Sequence, residues 1–477
     1  MKRFKSAFPA IVSACATLAI VHAARPQYGG TLRLQTRSTV RSLDPAVAAT
    51  GRDEVGLAAR LRPLVFETLV RIDPTGGLRP LLAVSWESDP GGARWRFHLR
   101  PGVTLHDGSP LEAWKVAAAL RTTATTWSVS TDGDVVIVEP KSSEADVPWA
   151  LADSRYAIAV RRSSTELVGS GPFRIDRLES GRVSLRAHDA HWAGRPFVDA
   201  VQLDLQRGLN AQLSDLESGR ADIVELQPAD ARRVTERGLH VAATRARDLF
   251  VLVFEPHRAE ASGSASRKLF AGALDRAAVA GVLLQGRGEP ARSLLPSWLA
   301  GYAPDFVAAA IPRSTRPAVT ALPVEQRAVT LRVDPSDAVA RAIAERIAVD
   351  AREVGFTVTI QAAAGLAPRP DVRLVRVTID STSPDRALAR LGNDLGSRLT
   401  ATAPKDATPN AASQLDTVIR FERALLQDAI VVPVVRVPDL YGVGDAVDVW
   451  DGDVVGATGR WNVANVWLRP AAPRARP

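Results

Sequence analysis

Cysteine is almost absent from this chain of 477 residues, since Cys15 is the only one. Cys15 lies in the N-terminal leader discussed below, so we expect a mature chain without thiols or disulfides, which fits an oxidising compartment. Lysine is scarce as well, because only six of the 60 basic residues are Lys. The arginines are scattered and form no basic block or basic helix face. The net charge of +8 therefore does not indicate a nucleic-acid surface.

The motifs of several enzyme classes are also missing. The Gly-Ser-Gly run at 169–171 lacks the spacing of a Gly-x-Ser-x-Gly nucleophile, and the chain contains no His-Glu-x-x-His. The Gly-Arg-Gly run at 286–288 is too short for a dinucleotide fingerprint. His188 and His191 stand at a spacing that metal ligands use, with Asp189 between them, but no further ligand cluster accompanies them. The sequence therefore predicts no enzyme, no cofactor and no metal site.

The first 23 residues have the features of a secretory signal peptide. Basic residues within the first five positions precede an apolar segment over 7–21, and small or aliphatic residues stand before a cut after Ala23. We predict export to the periplasm, with a mature chain that begins near Ala24. One alternative stays open, because residues 12–15 resemble a lipobox that would anchor the protein through an acylated Cys15.

A strand, a turn and a helix follow one another closely in the first quarter of the chain. Residues 94–100 alternate between charged and apolar types, which is typical of a half-buried strand. Ser109, Pro110 and Glu112 fit the N-cap, N1 and N3 positions of a helix and predict a capping box.

The second half of the chain predicts a parallel β-α-β unit. Strand patterns at 329–333 and 357–361 flank a helical pattern at 338–354, and such a helix lets the two strands run in parallel. Further strands are predicted at 249–254 and 372–378. Periodicity alone thus indicates a mixed α/β chain with several domains.

Several phrases of the sequence are recognisable in their order and spacing. They are LVFETLVRID at 64–73, LAVSWE at 82–87, WRFHLRPGV at 95–103, HDGSP at 106–110, GSGPFRI at 169–175 and SGRADI at 218–223. Together they resemble the family 5 extracellular solute-binding proteins, the peptide- and nickel-binding subunits of bacterial ABC importers. Residues 122–167 lose the resemblance and look trimmed relative to the family.

The resemblance implies an α/β, two-lobed periplasmic-binding-protein fold of type II with an extra inserted subdomain. The first lobe would comprise residues 24–50, 168–245 and 430–477, with the subdomain at 51–167 inserted in it. The second lobe would span 246–429. Two crossings between the lobes would form a hinge, and the cleft between them would enclose a ligand.

The resemblance also implies a function, which is the capture of short peptides in the periplasm and their delivery to an ABC permease and its ATPase. The protein would act as a monomer. In the family, the peptide lies extended and adds as a strand, so backbone groups supply affinity. The residues that match the contacting segments are Ala49, Thr50, Gly51, Arg376, Val377 and Thr378.

A carboxylate after the strand at 372–378 is the most specific candidate for the binding site. Peptide-binding family members have an Asp there that pairs with the α-ammonium group of the peptide, and the matching residue is Asp380. The surrounding phrase lacks the family's Trp and Tyr, so Asp385 could take this role instead. Residues 381–385 could also be an ordinary turn before a helix.

Other functions remain compatible with the sequence. Within the family, nickel chelates, haem, sugars and opines are alternative ligands, and the trimmed region 122–167 is compatible with a changed ligand. A scaffold that no longer takes part in transport, or a secreted enzyme on the same fold, are the alternatives from other classes.

Overall fold

The computed structural model describes most of the chain after residue 25. The described ranges are 26–73, 77–141, 147–163, 166–299, 311–362, 369–379, 387–388, 391, 395, 411–449, 459–461 and 463–469, without the side chains of 256–262, 411–418 and 449. The predicted signal peptide and its lipobox alternative lie outside these ranges.

Strands within the described ranges form three larger sheets and three two-stranded pairs. Those of the first half are β1 (Thr31–Gln35), β2 (Val70–Ile72), β3 (Leu78–Pro80), β4 (Ala83–Ser88), β5 (Trp95–Leu99), β6 (Trp127–Asp132), β7 (Val135–Pro140), β8 (Val160–Arg161), β9 (Leu167–Val168), β10 (Phe173–Glu179), β11 (Arg182–Ala187), β12 (Ala200–Asp204), β13 (Ile223–Leu226) and β14 (His240–Ala243). Those of the second half are β15 (Asp248–Phe254), β16 (Glu289–Pro290), β17 (Ala328–Arg332), β18 (Thr357–Gln361), β19 (Val372–Thr378), β20 (Val431–Val437), β21 (Leu440–Val443), β22 (Val447–Val449) and β23 (Val466–Leu468).

The helices pack on the sheets. They are α1 (Arg52–Val65), α2 (Ala113–Thr123), α3 (Val147–Ala150), α4 (Leu209–Glu217), α5 (Pro228–Glu236), α6 (Pro256–Ala273), α7 (Arg276–Ala278), α8 (Arg316–Thr320), α9 (Val324–Arg327), α10 (Ala338–Val354) and α11 (Ala411–Gln427). Short 3-10 turns occur at Ser154–Tyr156 and Val463–Asn465, and a π-helical turn at Val279–Leu283. Within the described ranges, no helix has the length and apolar character needed to cross a membrane.

The first lobe is built on a seven-stranded sheet of order β10-β11-β12-β1-β13-β21-β14. Strand β1 lies in its middle and runs parallel to β12 and β13. Leu32 and Leu34 of β1 are buried on one face, as the alternation of this strand requires. Helix α1 packs on the same core through Leu57 and Leu61. Strand β1 and helix α1 therefore share one hydrophobic core.

Two glycines hold the end of α1 against the loop before β10. A Cβ atom on Gly169 would lie 2.1 Å from the carbonyl oxygen of Val65, and one on Gly171 would lie 2.7 Å from that of Leu64. The backbone N–H of Gly171 donates to the carbonyl oxygen of Val65 at 3.0 Å. The Gly-Ser-Gly phrase is thus explained by this close backbone approach.

The second lobe is built on a six-stranded sheet of order β16-β20-β15-β19-β17-β18. Every residue of β15 is buried, because the strand has a hydrophobic core on each face. Phe250 and Leu252 contact one core, whereas Leu249 and Val251 contact the other.

The predicted β-α-β unit is present in this sheet. Strands β17 and β18 pair in parallel, and α10 connects them. Asp337 caps α10 because its Oδ1 accepts hydrogen bonds from the N–H groups of Val339 and Ala340, at 3.1 and 3.0 Å. Gly355 ends the helix in the left-handed conformation, with φ of 109°.

The subdomain contains a four-stranded sheet of order β4-β5-β7-β6 covered by α2. Its core includes Phe97 of β5 and Val116 and Leu120 of α2. The predicted capping box of α2 is wrong, because the helix begins after Glu112 and Ser109 donates instead to Asp107 Oδ1 at 2.7 Å. The residues between them are extended, since Pro110 forms a bridge with Thr104.

The chain crosses between the lobes twice, from β14 to β15 and from β20 to β21. The two connections contact each other, because Thr244 N–H donates to the carbonyl oxygen of Asp439 at 3.0 Å. Asp439 N–H donates to Thr244 Oγ1 at 2.9 Å in return. The α/β class and the two-lobed architecture are confirmed.

Two boundaries within the lobes differ from the sequence interpretation. Strand β20 pairs with β15 in the second sheet, so the return to the first lobe starts after Val437 and not at residue 430. Residues 52–66 pack in the core of the first lobe, so the subdomain begins after Phe66 and not at residue 51. Short apolar strands look alike in either lobe, and only their pairing assigns them.

Candidate functional site

An interlobe cavity of about 80 Å³ lies where the two lobes and the second connection meet. Both lobes supply charged side chains to it. The lining residues are Arg37, Arg60, Glu225, Leu226, Gln227, Pro228, Asp337, Ala338, Val339, Arg376, Val437, Pro438, Asp439, Leu440 and Tyr441. Three arginines and three carboxylates thus face a small space, and their hydrogen bonds decide which of them can bind a ligand.

The second-lobe side of the cavity is dominated by Arg376 of β19. Its Nε donates to Asp248 Oδ2 at 2.6 Å, and its Nη1 donates to Asp337 Oδ2 at 3.3 Å. Thr378 Oγ1 donates to Asp248 Oδ1 at 2.7 Å. Burial by itself would raise the pKa of Asp248, but Arg376 and Arg247 lower it overall, so it stays ionised. The guanidinium group of Arg376 is therefore hydrogen-bonded to two carboxylates, those of Asp248 and Asp337.

The first-lobe side is dominated by Arg60 of α1. Its Nη2 donates to Asp439 Oδ2 at 2.9 Å, and its side chain is 16% exposed. The guanidinium lies 5.9 Å from the ring of Tyr441 and 6.0 Å from that of Trp461. Burial by itself would lower the pKa of Arg60, but the negative groups around it, including Asp439 and Glu225, raise it.

Glu225 of β13 is engaged by the segment that follows β1. Its Oε1 accepts from Thr36 Oγ1 at 2.8 Å, and its Oε2 accepts from the backbone N–H of Arg37 at 2.9 Å. The side chain of Arg37 is about half exposed and lies 3.6 Å from the same carboxylate. Glu225 therefore fixes the end of β1 next to the cavity.

One ion pair links the lobes directly across the cleft. Arg52, the first residue of α1, lies 3.8 Å from Asp337 Oδ2, at the start of α10. Arg52 is 43% exposed, and exposed pairs of this kind contribute about 0–1 kcal/mol. This contact aligns the lobes but does not lock them.

The segment from Ala49 to Gly51 lies beside the cleft and is organised by Glu54. Both the N–H and the hydroxyl group of Thr50 donate to Glu54 Oε2, at 2.9 and 3.1 Å. Arg41 donates to the same carboxylate and to Thr50 Oγ1. Gly51 has φ of 78° and precedes α1, and Ala49 packs against the core of the first lobe. None of the three lines the interlobe cavity within the described residues.

The three predicted residues of β19 have different surroundings. Arg376 lines the cavity, the hydroxyl group of Thr378 is bound by Asp248, and the side chain of Val377 is buried in a core of the second lobe. Asp380 and its alternative Asp385 lie outside the described residues.

The histidines of the sequence analysis lie at the joint between the first lobe and the subdomain. His188 Nδ1 lies 3.2 Å from the carbonyl oxygen of Gly171, and His191 Nε2 lies 3.3 Å from Glu67 Oε1. Glu67 also accepts hydrogen bonds from Ser170 Oγ and Trp192 Nε1, at 2.8 and 3.0 Å to Oε2. Among the described residues, no three side chains converge in a way that would hold a metal ion. This group joins two parts of the fold.

Sequence reasoning missed the charged residues that line the cavity from the first lobe and the connection. Arg60 lies in a helix whose pattern indicates only a buried face, and no local pattern marks Asp439. Asp337 has a local signal, because Asp directly before an apolar helix is a typical N-cap. The pairing of these residues required the tertiary structure.

Comparison with known proteins identifies related chains. The family model described as bacterial extracellular solute-binding proteins, family 5 Middle, matches residues 77–397. The peptide transport periplasmic protein SapA of Salmonella typhimurium is 26% identical over 406 residues, which is 72% of this chain and 73% of SapA.

Solved structures show the same fold. The oligopeptide-binding protein AppA of Bacillus subtilis, in complex with a nonapeptide, has a TM-score of 0.71 and 17% identity, with 94% of this chain and 100% of AppA covered. NikA of Staphylococcus aureus, in complex with Ni(L-His)2, has a TM-score of 0.74 and 15% identity, with 92% of this chain and 100% of NikA covered. At these identities the likeness concerns the fold alone.

Proposed function

Because the chain belongs to the bacterial extracellular solute-binding proteins of family 5, the substrate-binding proteins of ABC importers, we propose that it captures short peptides in the cleft between its lobes. After export to the periplasm, the monomer closes on a peptide and delivers it to a membrane permease with its ATPase. The name of SapA and the nonapeptide complex of AppA support a peptide ligand.

The observation that carries this proposal is the mixed charge of the interlobe cavity. Arginines and carboxylates line it in pairs, with Arg60 next to Asp439 and Arg376 next to Asp337. A peptide is a zwitterion at neutral pH, so a cleft with side chains of both charges is compatible with such a ligand. The contact between the two connections lets them bend together as the lobes close.

Native mass spectrometry of protein purified from its own periplasm tests the proposal. We expect a bound species with the mass and fragmentation of a short peptide. A nickel chelate, haem, sugar or opine in its place would overturn the peptide function and leave the family assignment intact. A peptide-hydrolysis assay on the same sample tests the enzyme alternative, and we expect no turnover.

A further inference from the structure

Most of the hydrogen-bonding capacity of the interlobe cavity is already used by the protein. Both oxygens of Glu225 accept hydrogen bonds from the segment after β1. Asp337 uses Oδ1 to cap α10 and Oδ2 to accept from Arg376. Arg376 itself also donates to Asp248. These groups shape the cavity, and a ligand would have to displace a partner to bind them.

Arg60 differs from these residues. It makes one hydrogen bond within the described part of the chain, from Nη2 to Asp439, although a guanidinium has five N–H donors. Its side chain is 16% exposed and lines the cavity. The rings of Tyr441 and Trp461 lie beside the guanidinium and hold it in place.

An open guanidinium in a small, partly buried cavity is suited to one class of ligand group. The planar donors of Arg match the two oxygens of a carboxylate, and hydrogen bonds between two charged groups are stronger than neutral ones. Because Arg60 is already oriented by Asp439 and by two rings, binding costs little side-chain entropy.

We infer that Arg60 binds a carboxylate group of the ligand and makes this cleft selective for ligands that have one. This inference rests on the proposed peptide function, and it adds a specificity-determining residue on the first-lobe side of the cavity. The carboxylate can be the C-terminus of a peptide or an acidic side chain, since both present the same two oxygens.

Three synthetic tripeptide libraries distinguish these sources when their binding to the full chain is measured by native mass spectrometry and calorimetry. The first library has free C-termini, the second is C-terminally amidated, and the third is amidated with one Asp or Glu in each peptide. We expect the amides of the second library, made without acidic side chains, to bind about ten- to a hundredfold more weakly than the free acids. Recovery of binding in the third library would show that a side-chain carboxylate suffices, whereas no recovery would assign the site to the C-terminus.

Arg60→Lys tests the residue, because Lys keeps the charge and loses the planar pair of donors. We expect the difference between free acids and amides to shrink several-fold in this variant. Arg182→Lys is the matched control, since Arg182 pairs with Asp204 on the first-lobe sheet outside the cavity, and it should keep the wild-type difference. Circular dichroism checks that both variants fold.

The possible negative results of these binding experiments have different consequences for the inference and for the peptide function. Equal binding of free acids and amides to the wild type would overturn the inference and leave the peptide function standing. An unchanged difference in a folded Arg60→Lys variant would also overturn it, because another residue would then bind the carboxylate. Failure of all three libraries to bind would overturn the peptide function itself, and the inference with it.

Discussion

The first lobe has two joints, and they are built differently. Its joint with the second lobe surrounds a cavity lined by arginines and carboxylates, and the ion pair between Arg52 and Asp337 crosses this joint. At its joint with the subdomain, a Cβ atom added to Gly169 would collide with the carbonyl oxygen of Val65. Glu67 accepts hydrogen bonds there from Ser170 Oγ and Trp192 Nε1.

The difference indicates which joint moves. The ion pair between Arg52 and Asp337 can exchange partners at low cost, because Arg52 is 43% exposed and an exposed pair gains little free energy over its solvated state. Backbone atoms in direct contact cannot separate without losing packing and hydrogen bonds together. We therefore expect the second lobe to move relative to the first, and the subdomain to follow the first lobe as one body.

The largest expected effect concerns Asp380, which the family resemblance matches to the residue that pairs with the peptide ammonium group. If Asp380 pairs with the α-ammonium group of a peptide, Asp380→Asn leaves a buried charge unpaired, which costs roughly 3–5 kcal/mol. Peptide affinity measured by calorimetry should fall by about two to four orders of magnitude.

Asp385→Asn is the control for this prediction and should change the affinity little, while an N-acetylated peptide should bind the wild type poorly. Equal affinity for free and acetylated peptides would remove the ammonium pairing and turn attention to a non-peptide ligand.

The buried pair of Asp248 and Arg376 should matter mainly for stability. Asp248 is 6% exposed, so Asp248→Asn leaves Arg376 without its nearest carboxylate. We expect the free energy of unfolding in urea to fall by about 3–5 kcal/mol. Asp189→Asn removes an ion pair whose carboxylate is 80% exposed and should change it by less than about 1 kcal/mol. Similar losses in both variants would argue against a special role of burial here.

The joint with the subdomain should depend on pH through His106. Burial lowers the pKa of His106 from 6.5 to about 4. Its Nδ1 accepts from Gly169 N–H at 3.2 Å, which requires the neutral ring. His106 therefore binds a proton at a higher pH in the unfolded chain than in the folded chain. Its contribution to the free energy of unfolding is fully present above pH 6.5 and is lost as the pH falls towards 4.

The size of this effect is about 3 kcal/mol, since one pKa unit corresponds to about 1.4 kcal/mol. Urea unfolding of the wild type and of His106→Gln at pH 7 and pH 4 measures it. The variant should lose about 3 kcal/mol less than the wild type over this range, and parallel losses would contradict the assignment to His106.

The smallest expected effect tests how closely the same joint is packed. In Gly169→Ala, the new methyl group would meet the carbonyl oxygen of Val65, and we expect a loss of about 1–3 kcal/mol in thermal or urea unfolding. Gly181→Ala is the matched control, because no atom lies within 4 Å of the added Cβ. An unchanged stability of Gly169→Ala would mean that the joint can open, contrary to our comparison.

Some structural features could be predicted from the sequence because they depend on residues that are close together in the chain. The β-α-β unit follows from strand and helix periods that lie within about 35 residues, and the cap at Asp337 follows from its place before an apolar helix. The capping box at Ser109 failed although its local pattern was correct, because a bridge between Thr104 and Pro110 keeps these residues extended.

The family, the mixed α/β class and the division into two lobes with an inserted subdomain could be predicted from the sequence, since phrases in fixed order carry that information. The tertiary structure alone decided that β20 belongs to the second sheet and that Arg60 meets Asp439, which is 379 residues away along the chain. Strand pairing and ion pairing are choices among chemically equivalent partners, and no local pattern distinguishes one arginine among 54 from another. Only the packing of the two lobes brings one of them to the cavity with donors left over.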